Sequence, residues 1–170
     1  MELCKVEICE LERKHVSKVR KLIREIFPSW HAYYAEKAIN NHKILVAKIG
    51  DEIVGFIQFK IVNLGINVGH IYYMGVKPEY RRRGIGRALV IRAEEHMKSK
   101  VECFIASTQE DNIPVLRLFK SLGYVCTTWR DAYKILRDLG ADLEDEYDLM
   151  WRIYDYDDVV LLKLNRRLKI

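Results

Sequence analysis

Apolar and polar positions follow two different periods along the first third of the chain. Residues 3–11 alternate in the manner of a strand, whereas apolar residues between His15 and Phe27 recur every three or four positions, which predicts a helix. Pro28 ends that helix, because a proline disfavours helical geometry at the residue before it. An aromatic-rich stretch then begins a second, short helix that we expect to end near Asn40.

The rest of the chain continues to alternate between strand and helix patterns. Strands at 43–49 and 52–61 flank the turn pair Gly50-Asp51, which predicts a hairpin. The later elements are predicted strands at 68–76, 101–107, 124–130 and 157–164, and predicted helices at 84–98, 112–122 and 131–152, the last one broken at Gly140. No internal repeat interrupts this order, so the sequence predicts a mixed α/β fold.

Length and composition fit one domain over residues 1–170. The chain is 49% hydrophobic and 31% charged, which excludes a disordered chain. Its longest aliphatic run is residues 159–162, far short of the ~20 apolar residues that a membrane helix needs. The N-terminus has no apolar core of a secretory signal. We therefore expect a cytoplasmic protein without a membrane partner.

The formal net charge of +5 hides two opposite regions. Residues 142–158 hold eight acids and one base, a local net of −7, so the remaining residues carry +12. The acidic segment, as we call residues 142–158, is either a surface for a cationic acceptor or a solvated helix face or oligomer contact. The basic remainder suits an anionic ligand, and this charge pattern alone also fits a nucleic-acid-binding module.

The four cysteines are Cys4, Cys9, Cys103 and Cys126, and none forms a CxxC pair. If residues 3–11 are a strand, Cys4 and Cys9 point to opposite faces and cannot share a metal ion. We expect buried, reduced thiols and no metal, against the alternative of a structural zinc site.

The segment that carries chemistry lies between a predicted strand and a predicted helix. Pro78 breaks the strand, and an arginine- and glycine-rich run, residues 81–88, leads into the helix. Exposed N–H groups at a helix start attract anions, glycines let a phosphate approach closely, and arginines add charge-assisted hydrogen bonds. A dinucleotide-binding fingerprint would need glycine where Leu89 stands, and the Gly-Lys-Ser/Thr ending of a P-loop is absent. A glycine turn with solvated arginines is the alternative.

Two motifs in the expected order make the resemblance specific. The first reads V-x-P-x-Y-R-x-x-G-I-G from Val76 to Gly86, and the second runs from Asn112 through Phe119 to Gly123-Tyr124. They resemble the acyl-CoA-binding motif and the following motif of the GNAT-type N-acetyltransferase superfamily. The resemblance covers residues 3–130 and 157–164. It implies a GNAT-like fold, with a central mixed sheet of about seven strands splayed in the middle and flanked by helices. The residues between the last two strands, about 131–152, are then a helical acidic insert.

The resemblance also implies acetyl-CoA as co-substrate, no metal, and a set of cofactor contacts. Backbone groups near the start of the helix would hold the pyrophosphate, and the end of the preceding strand would bond the pantetheine arm. The cofactor-binding residues so implied are Met74, Gly75, Val76, Arg81, Arg82, Arg83, Gly84, Ile85, Gly86, Arg87 and Asn112. A backbone N–H near Val76 would stabilise the oxyanion of the tetrahedral intermediate.

The sequence departs from the family at the proton-transfer positions. Phe119 replaces the tyrosine that usually protonates the departing thiolate, and water, Tyr124 or Tyr72 are the alternatives. Ser107 stands where some N-terminal acetyltransferases have a glutamate. His70 lies at another position used for a base, and its neutral imidazole can accept a proton at pH 7. We therefore name His70 as the candidate general base, against a structural role, a nearby carboxylate or water.

The resulting hypothesis is direct transfer of an acetyl group from acetyl-CoA to a primary amine, preferably of a protein or peptide. The alternatives are a small-amine acetyltransferase, a non-catalytic CoA-binding sensor and a basic nucleic-acid-binding module. Tyr33, Tyr34 and Tyr72 are candidate acceptor contacts, although Trp30 and one tyrosine also suit core packing. We expect a monomer or a homodimer and no nucleic acid, because CoA phosphates explain the arginines better.

Overall fold

A computed structural model describes residues 5–165 of the chain. Within them the chain divides into two compact units, one of residues 5–59 and 73–93 and the other of residues 60–72 and 94–165. The predicted positions of residue 3 and of Cys4 lie outside the described residues. The single domain inferred from length stays a prediction.

The bounds of the elements follow the predicted order closely. They are β1 (Glu7–Glu10), α1 (Val16–Ile26), α2 (Ser29–Ala38), β2 (Lys43–Ile49), β3 (Glu52–Asn63), β4 (Asn67–Val76), α3 (Ile85–Met97), β5 (Cys103–Thr108), α4 (Ile113–Ser121), β6 (Val125–Thr127), α5 (Trp129–Asp138), α6 (Glu146–Ile153) and β7 (Val159–Leu164). The predicted hairpin is present, and Gly50 in its turn has a φ of 59°, a conformation that favours glycine.

The described strands form one mixed sheet in the order β1-β2-β3-β4-β5-β7-β6. β4 and β5 pair in parallel from Val68 opposite Cys103 to His70 opposite Ile105, and β4 then continues to Val76. β7 is antiparallel to both β5 and β6. The predicted fold class, a mixed α/β fold with a central sheet of seven strands and flanking helices, is therefore confirmed.

The core of the first unit forms where α1 and α2 bury their apolar faces. Val19, Leu22 and Ile23 share one face of α1 at helical spacing and are buried. They belong to one cluster with Ala35 of α2 and Phe56 of β3. Burying each large aliphatic side chain contributes about 1.5–3 kcal/mol, so this face explains why a helix forms here.

The second unit has its own core around α5 and α6. Trp129 and Leu136 of α5 pack in one cluster with Leu149 of α6 and with Cys103 and Ile105 of β5. The two helices lie between β6 and β7 in the chain. They therefore bury apolar faces within the part of the chain that was predicted as an acidic insert.

The predicted strand over residues 124–130 is wrong at its end. β6 stops at Thr127, and the Thr128 side chain accepts a hydrogen bond from the backbone N–H of Asp131 at 3.1 Å. This N-cap starts α5 at Trp129, because it satisfies a donor that the first helical turn leaves unpaired. The predicted break is present at Gly140, whose φ is 102°.

Candidate functional site

The segment that follows β4 is anchored before it reaches the arginines. Lys77 donates its backbone N–H to the carbonyl oxygen of Val54 at 2.8 Å. The Glu52 carboxylate accepts from Lys77 Nζ at 2.7 Å and from Tyr80 Oη at 2.9 Å. These bonds, with that of Lys77 as the larger cause, hold the pKa of Glu52 below its usual value. The loop thus leaves the sheet at a fixed place.

The arginine loop, residues 81–84, carries guanidinium groups that are exposed yet held by the backbone. Arg81 Nε donates to the carbonyl oxygen of Val76 at 2.9 Å. Arg83 Nη2 donates to the carbonyl oxygen of Glu79 at 3.1 Å. The loop therefore presents positive charge directly before α3, where an anion would be attracted.

Two residues of the arginine loop have left-handed backbone angles. Arg82 has a φ of 62° and Gly84 a φ of 77°. Glycine adopts this conformation freely, whereas a non-glycine residue is strained in it, and such strain concentrates at functional sites. A Cβ at Gly84 would meet no heavy atom within 4 Å, so the space beside it is open. α3 begins at Ile85, and a helix start with open space and nearby arginines can bind a phosphate.

The last residues of β4 are shaped by close packing. Gly75 is buried, and a Cβ there would come within 3.0 Å of Ile26 Cδ1 and 3.1 Å of Phe56 Cε1. Glycine is therefore required by the core at this position. The contacts that the family implies for Met74, Gly75 and Val76, with the pantetheine arm and the oxyanion, stay predictions.

His70 belongs to a buried polar network in the second unit. Its side chain is 0% exposed, and its Nε2 lies 2.9 Å from Oδ2 of Asp155, which is 8% exposed. Ser107 Oγ donates a short hydrogen bond to the other oxygen of that carboxylate, Oδ1. The half-buried Tyr72 ring lies 5.5 Å from the imidazole, centroid to centroid. We call His70, Asp155 and Ser107 the His70 network.

Sequence reasoning missed Asp155, which it counted only as one acid of the acidic segment. The signal was the strand register: β7 runs antiparallel to β5, with Val159 opposite Thr108 and Val160 opposite Ser107. Residues just before Val159 therefore emerge beside the end of β5. No periodicity in the sequence says which of the neighbouring aspartates contacts Ser107.

The second motif places Asn112 directly before α4 and Phe119 within it. Asn112 Nδ2 donates to Thr108 Oγ1 at 3.0 Å. Phe119 is buried, and its ring lies edge-on to Tyr124 with centroids 4.9 Å apart. Burial raises the pKa of Tyr124 well above its usual value, so this phenol holds its proton tightly. Tyr124 is therefore a poor substitute for the acid that Phe119 lacks.

The aromatic residues of α2 are more exposed than core packing requires. Trp30 and Tyr33 are exposed and Tyr34 is half-buried, so the core interpretation is wrong for Trp30. The Trp30 ring stacks on His31 with centroids 3.7 Å apart, and His31 Nδ1 lies 3.0 Å from Tyr73 Oη. The roles of Tyr33 and Tyr34 as acceptor contacts stay predictions.

The acidic segment also exposes aromatic rings. Tyr147 and Trp151 lie one turn apart on α6 and are 71% and 72% exposed. Tyr154 and Tyr156, just after α6, have ring centroids 5.8 Å apart. Aromatic faces beside carboxylates attract cations. The segment therefore has the chemistry of a surface for cations.

The thiols do not form a metal site in the described part of the chain. Within residues 5–165, no group of three or more His, Cys, Asp or Glu side chains is placed to hold a metal ion. Cys9, Cys103 and Cys126 are free thiols, but the prediction that they are buried is wrong for Cys126, which is exposed, and for Cys9, which is half-buried. Burial raises the pKa of Cys103 to about 12, so that thiol is unreactive at neutral pH. Across the same residues, no helix combines the length and the hydropathy that crossing a membrane requires.

Comparison with known proteins identifies the family of this site. The model of the acetyltransferase (GNAT) family matches residues 16–124. This range includes the two sequence motifs, the arginine loop and His70. The chain is 30% identical over 146 residues to an N-alpha-acetyltransferase of Sulfurisphaera tokodaii, covering 78% of this chain and 84% of the relative.

Two solved structures extend the likeness to the fold. Arabidopsis thaliana Naa50, in complex with the bisubstrate analogue CoA-Ac-MVNAL, is 25% identical, with a TM-score of 0.58 over 72% of this chain and 84% of that one. The aminoglycoside N-acetyltransferase AAC(6′)-Iy, in complex with CoA, is 17% identical, with a TM-score of 0.60 over 70% of this chain and 87% of that one. The chain belongs to the GNAT family of acetyltransferases and is an acyl-CoA N-acyltransferase whose co-substrate is acetyl-CoA.

Proposed function

We propose that the chain acetylates the α-amine of a protein or peptide. The observation that carries this proposal is the relative from Sulfurisphaera tokodaii, an N-alpha-acetyltransferase that matches most of the chain. The likeness to Naa50 bound to CoA-Ac-MVNAL also supports a peptide acceptor. The coarser statement, acetyl transfer to an amine, holds for the family.

Proton energetics favour an α-amine over a lysine side chain. Deprotonating an α-amine of pKa ~8 at pH 7 costs about 1–1.5 kcal/mol, whereas a lysine of pKa ~10.4 costs about 4–5 kcal/mol. One imidazole is a base of moderate strength and suits the smaller cost. A lysine acceptor would need a stronger base than His70.

In the proposed reaction, the arginine loop and the start of α3 hold the CoA pyrophosphate. Backbone N–H groups of residues 82–87 bond the phosphates, the end of β4 bonds the pantetheine arm, and Asn112 contacts its far end. These roles agree with the open space beside Gly84 and with the exposed arginines.

The chemical step is a direct acyl transfer. The amine nitrogen attacks the thioester carbon, and the N–H of Val76 stabilises the oxyanion that forms. His70 takes the proton of the attacking nitrogen, the C–S bond breaks, and CoA leaves as a thiolate. A thiol of pKa ~8.5 is a tolerable leaving group near neutral pH, so the missing tyrosine at Phe119 does not prevent the reaction.

A small cationic amine is the second candidate acceptor, and the net −7 of the acidic segment favours it. The likeness to an aminoglycoside acetyltransferase concerns the fold alone. Tyr33, Tyr34 and Tyr72 are the acceptor contacts that we propose for either class.

The test is a screen of acceptors with labelled acetyl-CoA. Each peptide is offered in three matched forms: with a free N-terminus, with a formylated N-terminus, and with lysine as the only amine. Polyamines and aminoglycosides are offered in parallel. We expect label only on the peptides with free α-amines. Label on lysine alone or on small amines alone would overturn the proposal in favour of those classes. Acetyl-CoA binding without transfer to any acceptor would favour a non-catalytic CoA-binding sensor. Oligonucleotide binding at moderate salt would favour a nucleic-acid-binding module.

A further inference from the structure

The His70 network is held in place from both sides of Asp155. The backbone N–H of Asp155 donates to the carbonyl oxygen of Met150 at 3.2 Å, at the end of α6. Two residues later, the carbonyl oxygen of Asp157 accepts from Trp129 Nε1 at 2.7 Å. A carboxylate fixed in this way can orient a partner, because its own position does not depend on that partner.

The hydrogen bonds define which nitrogen of His70 carries the proton. An ionised carboxylate only accepts hydrogen bonds, so Nε2 of His70 must donate to Asp155 Oδ2. Ser107 Oγ donates to Oδ1, which satisfies the second oxygen of the carboxylate. The neutral imidazole is therefore the Nε2–H tautomer, and its basic lone pair is on Nδ1.

Nδ1 is the unexplained atom of the network. It is buried and has no hydrogen-bond partner among the described residues, in a side chain that is 0% exposed. Leaving a buried polar atom unpaired costs about 1–3 kcal/mol, so such atoms in native proteins call for an explanation. An incoming donor, the N–H of an acceptor amine or a water that relays its proton, would supply the missing partner.

We propose that Asp155 is a positioning residue that fixes His70 as the Nε2–H tautomer, so that Nδ1 is the atom that accepts the proton of the acceptor amine. Asp155 then stabilises the imidazolium that forms, while Ser107 holds the carboxylate. The role rests on the proposed function, since it needs a proton to accept. Asp155 touches neither substrate nor cofactor in this mechanism.

The order of contacts excludes a nucleophilic serine. In a hydrolase triad the serine hydroxyl contacts the imidazole, which takes its proton. Here Ser107 contacts the carboxylate, and the carboxylate contacts the imidazole. Ser107 is therefore not activated, and the network suits direct transfer without an acyl-enzyme.

Three further residues face the His70 network, and a charge on any of them would also affect the protonation of His70. Asp157 Oδ2 lies 3.5 Å from Ser107 Oγ, and the Tyr72 ring lies beside the imidazole. Ile105 of β5, which is apolar, lies opposite His70 in the register. Among the described residues, Asp155 is the acidic side chain that contacts the imidazole.

The test combines two measurements on the full chain. The first is the ¹⁵N spectrum of the His70 imidazole in the wild type, where we expect a protonated Nε2 and an unprotonated Nδ1. The second is the pH profile of kcat/KM with a peptide acceptor for Asp155→Asn and for the matched control Asp138→Asn, an exposed aspartate at the end of α5 and outside the acidic segment. A carboxamide stabilises an imidazolium less than a carboxylate does, so His70 would lose its proton more readily in Asp155→Asn.

We expect Asp155→Asn to lower kcat/KM by about 100-fold, the lower range for a positioned base, and to move the acidic limb of the profile to lower pH. CoA affinity in Asp155→Asn and the pH profile of Asp138→Asn should stay at wild-type values. Ser107→Ala should show a smaller loss of kcat/KM, and Ser107→Thr should restore the activity because threonine keeps the hydroxyl.

A protonated Nδ1 in the wild type overturns the inference even if Asp155→Asn does not fold. So does a folded Asp155→Asn whose acidic limb is unmoved. Failure of the wild type to acetylate any amine instead overturns the proposed function and the positioning role with it.

Discussion

Gly84 offers the sharpest test of the arginine loop, because backbone strain and charge can be separated there. Its φ of 77° imposes a strain on any L-residue that replaces it, roughly 1–2 kcal/mol. A Cβ would meet no atom within 4 Å, so bulk adds nothing to that cost in the unliganded protein. Gly84→Ala, Gly84→Glu and Gly84→Lys should therefore lower the Tm by a similar amount, about 2–8 °C.

The three variants should separate in cofactor binding. A unit charge about 5 Å from a phosphate charge interacts by roughly 0.8 kcal/mol in water. Exchanging glutamate for lysine beside the two charges of a pyrophosphate thus changes the binding free energy of CoA by ~3 kcal/mol without salt. At physiological salt the change is about half of that. The Kd of CoA should be roughly 20-fold weaker for Gly84→Glu than for Gly84→Lys under those conditions.

Titration calorimetry at two salt concentrations measures this difference directly. The gap between the Kd values of the glutamate and lysine variants should narrow as salt rises, while the ratio of the Gly84→Ala Kd to the wild-type Kd should change little. Equal Kd values for Gly84→Glu and Gly84→Lys at low salt would refute the placement of the pyrophosphate beside Gly84. Unaltered binding in all three variants would refute the role of the loop itself.

The remaining predictions concern the proposed base, the position of the usual acid, two thiols and the core. His70→Gln should lower kcat/KM by at least ~100-fold with CoA affinity kept, as steady-state kinetics and calorimetry will measure. Phe119→Tyr should change kcat less than tenfold, because the thiolate leaves unassisted. Below pH 9.0 the Cys103 thiol is protonated in both the folded and the unfolded state, whereas between pH 9.0 and about 12 it ionises only in the unfolded state. The free energy of unfolding should therefore fall as the pH rises through this range. The fall should be smaller in Cys103→Val. Alkylation at pH 8 should modify Cys126 and spare Cys103. Leu136→Ala should cost about 2–5 kcal/mol of stability in urea unfolding.

The fold could be predicted because each element is encoded locally. The helical spacing of α1, the hairpin turn at Gly50 and the glycine-rich start of α3 are all properties of neighbouring residues. The prediction failed at residues 128–130 because helix α5 begins with the Thr128 cap. That cap depends on a side-chain hydrogen bond, which hydrophobic patterning does not represent.

The candidate site was predictable only where it is contiguous in sequence. The arginine loop is one run of residues, so its motif reveals it. The contact between His70 and Asp155 joins residues 85 positions apart, and it depends on β7 returning beside β5. The acidic segment hid Asp155 because seven other acids surround it in sequence, although this one is buried. Burial and register, not composition, distinguish it.

The tetrahedral intermediate can break down in two directions, and this explains why the site can lack the usual proton donor but still needs a base. An intermediate whose nitrogen is still protonated can expel either the amine or the thiolate, and the two have similar basicity, ~8 against ~8.5 in pKa. Removing the nitrogen proton makes the amine a far worse leaving group, so the thiolate departs without a proton donor. A site of this kind tolerates Phe119 but depends on a base. In the proposed mechanism that base is the buried imidazole of His70, which Asp155 holds and whose Nδ1 has no hydrogen-bond partner among the described residues.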